Sequence, residues 1–457
     1  MISRRTFNLS LTALAFAGLT GCGLGKKSDK PLTMKLSDGY GPLVPDPNKL
    51  IDLPEGFNYD IISALGDKMT DGFHVPDRAD GMGCFALSED TVALVRNHEL
   101  SPKHLKRQPD SLHNHKTPLA YDAFQDSGVA LPGGTSTLIY NLKTRQREQE
   151  FLSLVGTIRN CAGGVTPWGS WLTCEESVKT ANGDIGKDHG YIFEVPASAT
   201  GLVNPEPLKA MGRFNHEAAA VDPKTGIVYL TEDRGDSLFY RFIPNVPGQL
   251  NRGGKLQALV VQQSPRFDSR NWDNTTMALD TDYTTRWIDL TNPESPDDDL
   301  RIQGFENGAA VFARGEGIHW GDNEAYFCCT NGGQQQLGQI MRYQPSPFEG
   351  TEKEATQPGI LQLILESEDQ SLYNFGDNIT VTPQGHLIVC EDQYTDTVNN
   401  HLRGVTPAGE VYDFANLHAQ TELAGACFSP DGSILFVNIY SPTKTIAIRG
   451  PWEKFFA

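Results

Sequence analysis

Cys161 and Glu176 stand fifteen residues apart, and so do Glu217 and Glu232, Glu316 and Asn331, and Asp377 and Asp392. In each pair the first residue opens a short apolar, strand-like run, and the second closes the run that follows across a turn. The start and end of an antiparallel hairpin lie at the same end of the strand pair, so four such hairpins bring these side chains to one place. Glu175, Asp233, Asn378 and Glu391 flank the set in sequence, and Asn97 and Glu99 join it from an earlier hairpin. Carboxylates gathered in this way repel one another unless cations stand between them. Oxygen ligands from Asp, Glu and Asn suit a hard cation such as Ca²⁺. The Cys161 thiolate suits a transition metal, and the mixture points to more than one kind of ion. Arg314 precedes Glu316 by two residues and on a strand shares its face; a planar guanidinium there can fork onto an anion. One acid at a strand end commonly caps a turn, but a spacing repeated four times is not explained by capping. Glu175 and Glu391 alternate with the ligand-type residues and read as packed, while His98, His189 and His216, beside turns, read as supporting groups.

Such pairs need a scaffold that repeats. After residue 45 no long segment of period 3.6 occurs; short β-branched and aromatic runs alternate with Gly, Pro and Asp turns. Hairpins read over 85–99, 161–176, 217–233, 316–331, 377–392 and 424–438. A further strand follows each, at 137–140, 190–193, 238–241, 339–343, 402–405 and 445–448. Six copies of an antiparallel unit of three to four strands predict an all-β, six-bladed β-propeller. The first strand of each blade would line the axis, and the ligand-type pairs would meet at one mouth of the channel. Agreement of the copies in detail argues against a large β-sandwich. Insertions are expected at about 101–134, 245–304 and 344–370.

The composition agrees. The chain has 457 residues, 39% hydrophobic and 21% charged, with 45 Gly and 28 Pro; this is too apolar for disorder and too rich in turn residues for a helical bundle. The N-terminus stands apart. Arg4-Arg5-Thr6-Phe7 precedes an apolar run from Leu9 to Leu19 that is too short to span a bilayer, the layout of a twin-arginine export signal. Leu19-Thr20-Gly21-Cys22 is similar to a bacterial lipobox, with cleavage before Cys22 and lipid on its thiol. The expected plan is a signal at 1–21, a flexible tether at 22–45 and one propeller domain at 46–457. It places a monomer in the periplasm or at the cell surface, meeting the Tat translocase during export and the membrane only through its lipid. Removing the two signal arginines leaves 36 basic against 57 acidic side chains, a net charge of −21. That surface repels nucleic acid, and repels a phosphorylated small molecule unless metals or a few arginines reverse the local field. Seven cysteines follow Cys22; an odd count leaves at least one outside any disulfide, and most read as small core residues.

Taken in order, Asn97-His98-Glu99, Asn160-Cys161-Ala162-Gly163-Gly164-Val165-Thr166-Pro167-Trp168-Gly169, Cys174-Glu175-Glu176, His189-Gly190-Tyr191, His216-Glu217, Thr231-Glu232-Asp233 and Arg314-Gly315-Glu316 resemble the PhoX family of exported alkaline phosphatases. The resemblance runs from about residue 50 to 452. It implies a six-bladed propeller, twin-arginine export, phosphomonoester hydrolysis, and a cofactor of Fe³⁺ and Ca²⁺ ions joined by an oxo bridge. By match, Cys161, Glu176, Glu217 and Glu316 correspond to cofactor ligands and Arg314 to a phosphate-binding arginine, so that Arg314, Cys161 and Glu217 form the expected catalytic centre. Asp377, Asn378 and Asp392 fall where the last acidic ligands of the family are expected. The chain departs from the family in its shorter length, its lipobox, and Gly315 where Pro is expected after Arg314. The implied reaction is metal-assisted phosphoryl transfer on a small phosphoester clamped by Arg314. Two other functions would use the same scaffold. A calcium-dependent propeller hydrolase of lactones or other phosphoesters has no use for Cys161 or Arg314. A non-catalytic, surface-anchored binding propeller is separated only by an activity assay.

Overall fold

The computed structural model describes residues 34–455. Arg4, Arg5 and Cys22, with the signal and the first half of the expected tether, lie outside the described residues. Six hairpins dominate the fold: Ala79–Ala86 with Thr91–His98, Asn160–Val165 with Ser170–Glu175, His216–Val221 with Val228–Glu232, Gly315–Trp320 with Ala325–Cys329, Gly376–Val381 with Leu387–Glu391, and Leu423–Phe428 with Ile434–Ile439. Their strands are rich in Val, Ile, Ala and aromatic residues, and their turns carry Gly, Pro, Asp or Asn, as strand and turn chemistry requires. Each second strand pairs antiparallel with a third: Gly133–Asn141, Ile192–Pro196, Tyr240–Pro244, Gln339–Gln344, His401–Val405 and Lys444–Arg449.

The six first strands contact one another in a closed cycle, each hairpin against the next and the sixth against the first. The closure is tight enough to dictate residue type. A Cβ on Gly81 would lie 2.6 Å from Ala162 Cα, and one on Gly317 would lie 2.7 Å from Asn378 Cα. The ring is sealed through the chain ends, because Asn58–Ala64 adds to the sixth sheet beside Lys444–Arg449. Closure of this kind removes the exposed edges that a β fold must otherwise protect.

Parts of the expected insertions are sheet. Gly254–Val261 and Ile360–Glu366 are the fourth strands of the third and fourth sheets, and Tyr283–Asp289 pairs with both, making one nine-stranded sheet. Residues 101–132 carry only short helical turns, Pro102–Arg107 and Asp110–His113, together with isolated bridges. The expected flexible tether does not extend to residue 45. Lys35–Leu36 pairs in parallel with Glu410 and Val411, and Tyr40, 4% exposed, packs edge-on against Phe57, Phe414 and Trp452. All the described cysteines but Cys84 are buried. Among the described residues no helix is long and apolar enough to cross a membrane.

Candidate metal centre

At its open end every hairpin breaks register in the same way. Three steps along the first strand match two along the second: Ala79 to Met82 against Arg96 to His98, Asn160 to Gly163 against Thr173 to Glu175, His216 to Ala219 against Leu230 to Glu232, and likewise in the other three. This is a β-bulge, which re-aims the side chains beside it. The residue after the last paired position before the bulge is Asp80, Cys161, Glu217, Glu316 and Asp377 in the first five hairpins and Gly425 in the sixth. One step further out in the first five, the end of the second strand donates a backbone N–H to the residue that precedes the bulge-opening pair: Glu99 to Arg78, Glu176 to Arg159, Asp233 to Asn215, Thr330 to Arg314 and Asp392 to Phe375; in the sixth the corresponding pair is Leu423 with Ile439, and Tyr440 donates to Glu422 one position beyond it.

Six repeats of this geometry put buried acids and one thiol around one mouth of the ring. Three groups have ligand atoms within 4.8 Å of one another: Cys161, Glu176 and Glu217; Glu217, Glu316 and Asp377; and Asp377, Asp392 and Glu422. Glu217 and Asp377 belong to two groups each, so the three form one continuous chain of ligands. The Cys161 thiol lies 3.1 Å from Glu217 Oε2. Burial pushes the Glu316 carboxyl well above the usual carboxylate range, and Asp233, Asp377 and Glu217 raise it further against the pull of Arg314. Its Oε2 is buried without a hydrogen-bond partner. A buried, unpartnered carboxylate oxygen among like charges fits a cation between them, and the all-oxygen and thiol-containing groups fit different metals.

Three arginines occupy the same rim position: Arg78, Arg159 and Arg314, with φ of 61°, 53° and 52°. A left-handed backbone is unusual for a side chain of this size and needs its surroundings to hold it. Arg314 forks onto Asp233 (Nε to Oδ1 2.6 Å, Nη2 to Oδ2 3.0 Å) and also donates to Glu316 Oε1 at 3.0 Å and Tyr394 Oη at 3.2 Å. Burial alone would lower its pKa, but Asp233, Tyr394 and Glu316 outweigh burial and raise it. Arg159 donates to Glu99 Oε1 at 2.9 Å and to Glu176, and Arg78 donates to Tyr440, whose hydroxyl donates in turn to Glu99. The acidic mouth is thus collared by guanidinium groups that remain 15–29% exposed.

The structure brings Cys161, Glu176, Glu217, Glu316, Asp377 and Asp392 together; Glu99 and Glu232 do not join these groups, and the Asn97 and Asn378 amides are engaged in other hydrogen bonds. Asn97 is fully used elsewhere. Its amide donates to the Cys161 and Ala162 carbonyls (2.9 and 2.8 Å) and its oxygen accepts from Trp171 Nε1 and Thr173 Oγ1, so it braces the thiol-bearing strand from behind. Glu99 faces Arg159, Arg78 and Tyr440. Glu232 pairs with His216 in the ladder and accepts from Tyr240 Oη at 2.6 Å; burial lifts its pKa to about 7. Asn378 is spent between Asp377 Oδ1 (2.8 Å) and the Gly425 N–H (2.6 Å). Glu175 and Glu391 have equivalent supporting places, accepting the backbone N–H of Ile158 and Asn374, the residues just before the rim positions. His98 and His216 bond Ser136, Asp77 and Gly212, away from the acids.

Glu422, Asp80, Arg78 and Arg159 belong to this mouth and were not singled out from the sequence. The arginines had a signal: Arg78-Ala79-Asp80, Arg159-Asn160-Cys161 and Arg314-Gly315-Glu316 repeat one pattern of Arg, any residue, then acid or thiol. Glu422 had none, because its partner in register, Tyr440, is not a ligand-type residue.

A closed ring of antiparallel sheets with buried acid and thiol groups at one mouth is a β-propeller-like fold with side chains that could hold metal ions. The model of the alkaline phosphatase PhoX family matches residues 38–139 and 125–443, and the chain belongs to that family; it is accordingly a phosphomonoester hydrolase. Among solved structures it is similar to Pseudomonas fluorescens PhoX in complex with vanadate, a transition-state analogue, at 18% identity and a TM-score of 0.65 over 91% of this chain and 98% of that one. A gluconolactonase from Xanthomonas campestris aligns at 11% identity and a TM-score of 0.41, over 90% and 98% of the two chains. Among curated proteins no sequence matches.

Proposed function

We propose that this chain hydrolyses small phosphomonoesters with iron and calcium ions held at the mouth of a six-bladed propeller. The observation that carries the reading is the chain of three ligand groups sharing Glu217 and Asp377 beneath Arg314 and Arg159. Cys161, with Glu176 and Glu217, would hold iron; Glu217, Glu316, Asp377, Asp392 and Glu422 offer oxygen alone and would hold calcium. Bound there, the ions supply Lewis-acid polarisation and charge neutralisation at the phosphate. The rest falls to the protein. Arg314 is already aimed by Asp233 and Tyr394, and its planar fork can turn from Asp233 onto phosphate oxygens. Arg159, tied to Glu99 and Glu176, faces the same anion from the next sector but one. The collar explains how a chain of net charge −19 receives an anion. The thiol and the arginine together disfavour a hydrolase built around one Ca²⁺. Export by the twin-arginine route, a lipid on Cys22, and a monomeric state at the periplasmic or outer surface complete the proposal on sequence grounds.

Elemental analysis of the purified protein tests it. Iron and calcium should co-purify, and Cys161→Ala should lose iron and any visible absorbance while calcium partly remains. Iron content unchanged in that variant removes Cys161 from the ligand set. Full aryl phosphate hydrolysis by metal-stripped protein sinks the metal reading altogether.

A further inference from the structure

Behind the acidic mouth the axial channel turns apolar. A cavity of about 250 Å³ begins at the small residues Gly81, Ala162, Ala218 and Gly317 and follows the first strands towards their turns, where Val165 and Trp320 border it. Phosphoryl transfer at the mouth makes no use of this volume. Three of its polar side chains are satisfied: Asn378 by Asp377 and Gly425, Thr166 by Ser170, and Trp171 by Asn97. His319 differs, because its Nδ1 is buried with no side-chain partner and has only the adjoining Trp320 backbone beside it. Burial pushes the His319 pKa down to about 4, so near neutral pH the ring is uncharged and offers either an N–H or a lone pair. The turn face also shows apolar side chains to solvent, with Val165 40% exposed and Leu36, beside the turn-end residue Val411, 62% exposed.

A cavity of about 150 Å³ walled by aliphatic groups stays dry and holds benzene; the present one, about 250 Å³, is larger and is bordered by the His319 imidazole. We propose that the channel is a second binding site, distinct from the metal mouth and opening on the opposite face, for a single alkyl chain of roughly eight carbons whose hydroxyl or carbonyl group meets His319. Straight-chain amphiphiles are the class that matches a narrow apolar bore with one hydrogen-bonding side chain.

Trp171 and Trp320 both line the cavity, so tryptophan fluorescence reports directly on occupancy. Metal-loaded, full-length protein titrated with 1-octanol should show a saturable spectral change. Val165→Trp, which plugs the turn end from an exposed position, should weaken binding at least tenfold while aryl phosphate hydrolysis stays at the wild-type level. His319→Phe should weaken 1-octanol roughly five- to tenfold, the value of one hydrogen bond, and leave benzene binding unchanged. A non-saturable response in the wild type, or Val165→Trp binding octanol like the wild type, overturns the site; equal losses of octanol and benzene in His319→Phe overturn the imidazole contact. Diffraction from wild-type crystals soaked in 1-octanol decides independently of any variant: density in the channel supports the site, and density only elsewhere overturns it.

Discussion

At the scale of single residues, Arg314 and Glu316 divide the work of the mouth between them. Glu316 points an unpartnered oxygen into the acidic chain, and Arg314, two residues earlier, holds its fork at the rim. Arg314→Ala should therefore keep its metals and lose turnover. A charge-assisted fork on phosphate in a sheltered site is worth on the order of 2–4 kcal/mol, or roughly a 30- to 1,000-fold drop in kcat/KM. Kinetics with an aryl phosphate at equal metal loading measure this, and a near wild-type value means that the phosphate sits elsewhere. Much of this site was legible in the sequence, because the ligand-type residues recur at hairpin ends. The constant spacing of fifteen was not the underlying rule, however. Register pairs Asn215 with Asp233, eighteen residues on, and Arg314 with Thr330, sixteen on, whereas Arg159 pairs with Glu176 and Phe375 with Asp392, each seventeen on, because the hairpin turns differ in length. A count along the chain therefore put Glu232, which faces Tyr240, in the ligand set and gave Asp233, which aims Arg314, only a flanking place.

The elements were legible where periodicity is strong and illegible where a strand lies inside an irregular stretch. All six hairpins and their third strands follow from alternating apolar runs. The fourth strands Gly254–Val261 and Ile360–Glu366 lie in stretches read as insertions, where pairing with a neighbouring sheet decides the conformation and local pattern does not. The bulges were invisible too, since an extra residue leaves no compositional trace. Their tightness has a measurable price in tolerance. A side chain at Gly81 has to displace the Ala162 backbone, only 2.6 Å from the position of its Cβ, and overpacking of that kind costs about 1–3 kcal/mol. Gly81→Val should lower Tm by several degrees and, by disturbing the strand beside Cys161, lower iron content as well. Thermal unfolding followed by metal analysis checks both, and a variant as stable as the wild type shows that the ring can relax.

At the scale of the whole molecule, buried charge pairs tie the ring to its long connections. His189 stands between Glu175 Oε1 at 2.6 Å and Asp122 Oδ2 at 3.3 Å, and Asp122 belongs to the long connection between the second and third strands of the first sheet. Burial alone would lower the His189 pKa, but the two carboxylates reverse the effect and raise it to about 9. An unfolded histidine titrates near 6.5, so the folded state holds this proton more tightly. The resulting stability is fully present below about pH 6.5 and drains away as pH rises through about 9. Wild-type Tm should fall between pH 7 and pH 10, and His189→Gln should flatten that fall. An unaltered pH profile in the variant assigns the loss to other groups.

The sharing of Glu217 and Asp377 between neighbouring ligand groups bears on how the centre fills and empties. An ion that leaves one group frees the shared carboxylate to turn away or take up a proton, which loosens the adjoining ion, so occupancy at each position depends on occupancy beside it. Loading should follow a steep isotherm with a Hill coefficient above one, and partly filled centres should be scarce. Titration with a calcium chelator, followed by metal content and hydrolysis together, should show both falling in one abrupt step, with iron lost close behind calcium. A gradual, stepwise decline with well-populated intermediates would show that the three groups bind as strangers.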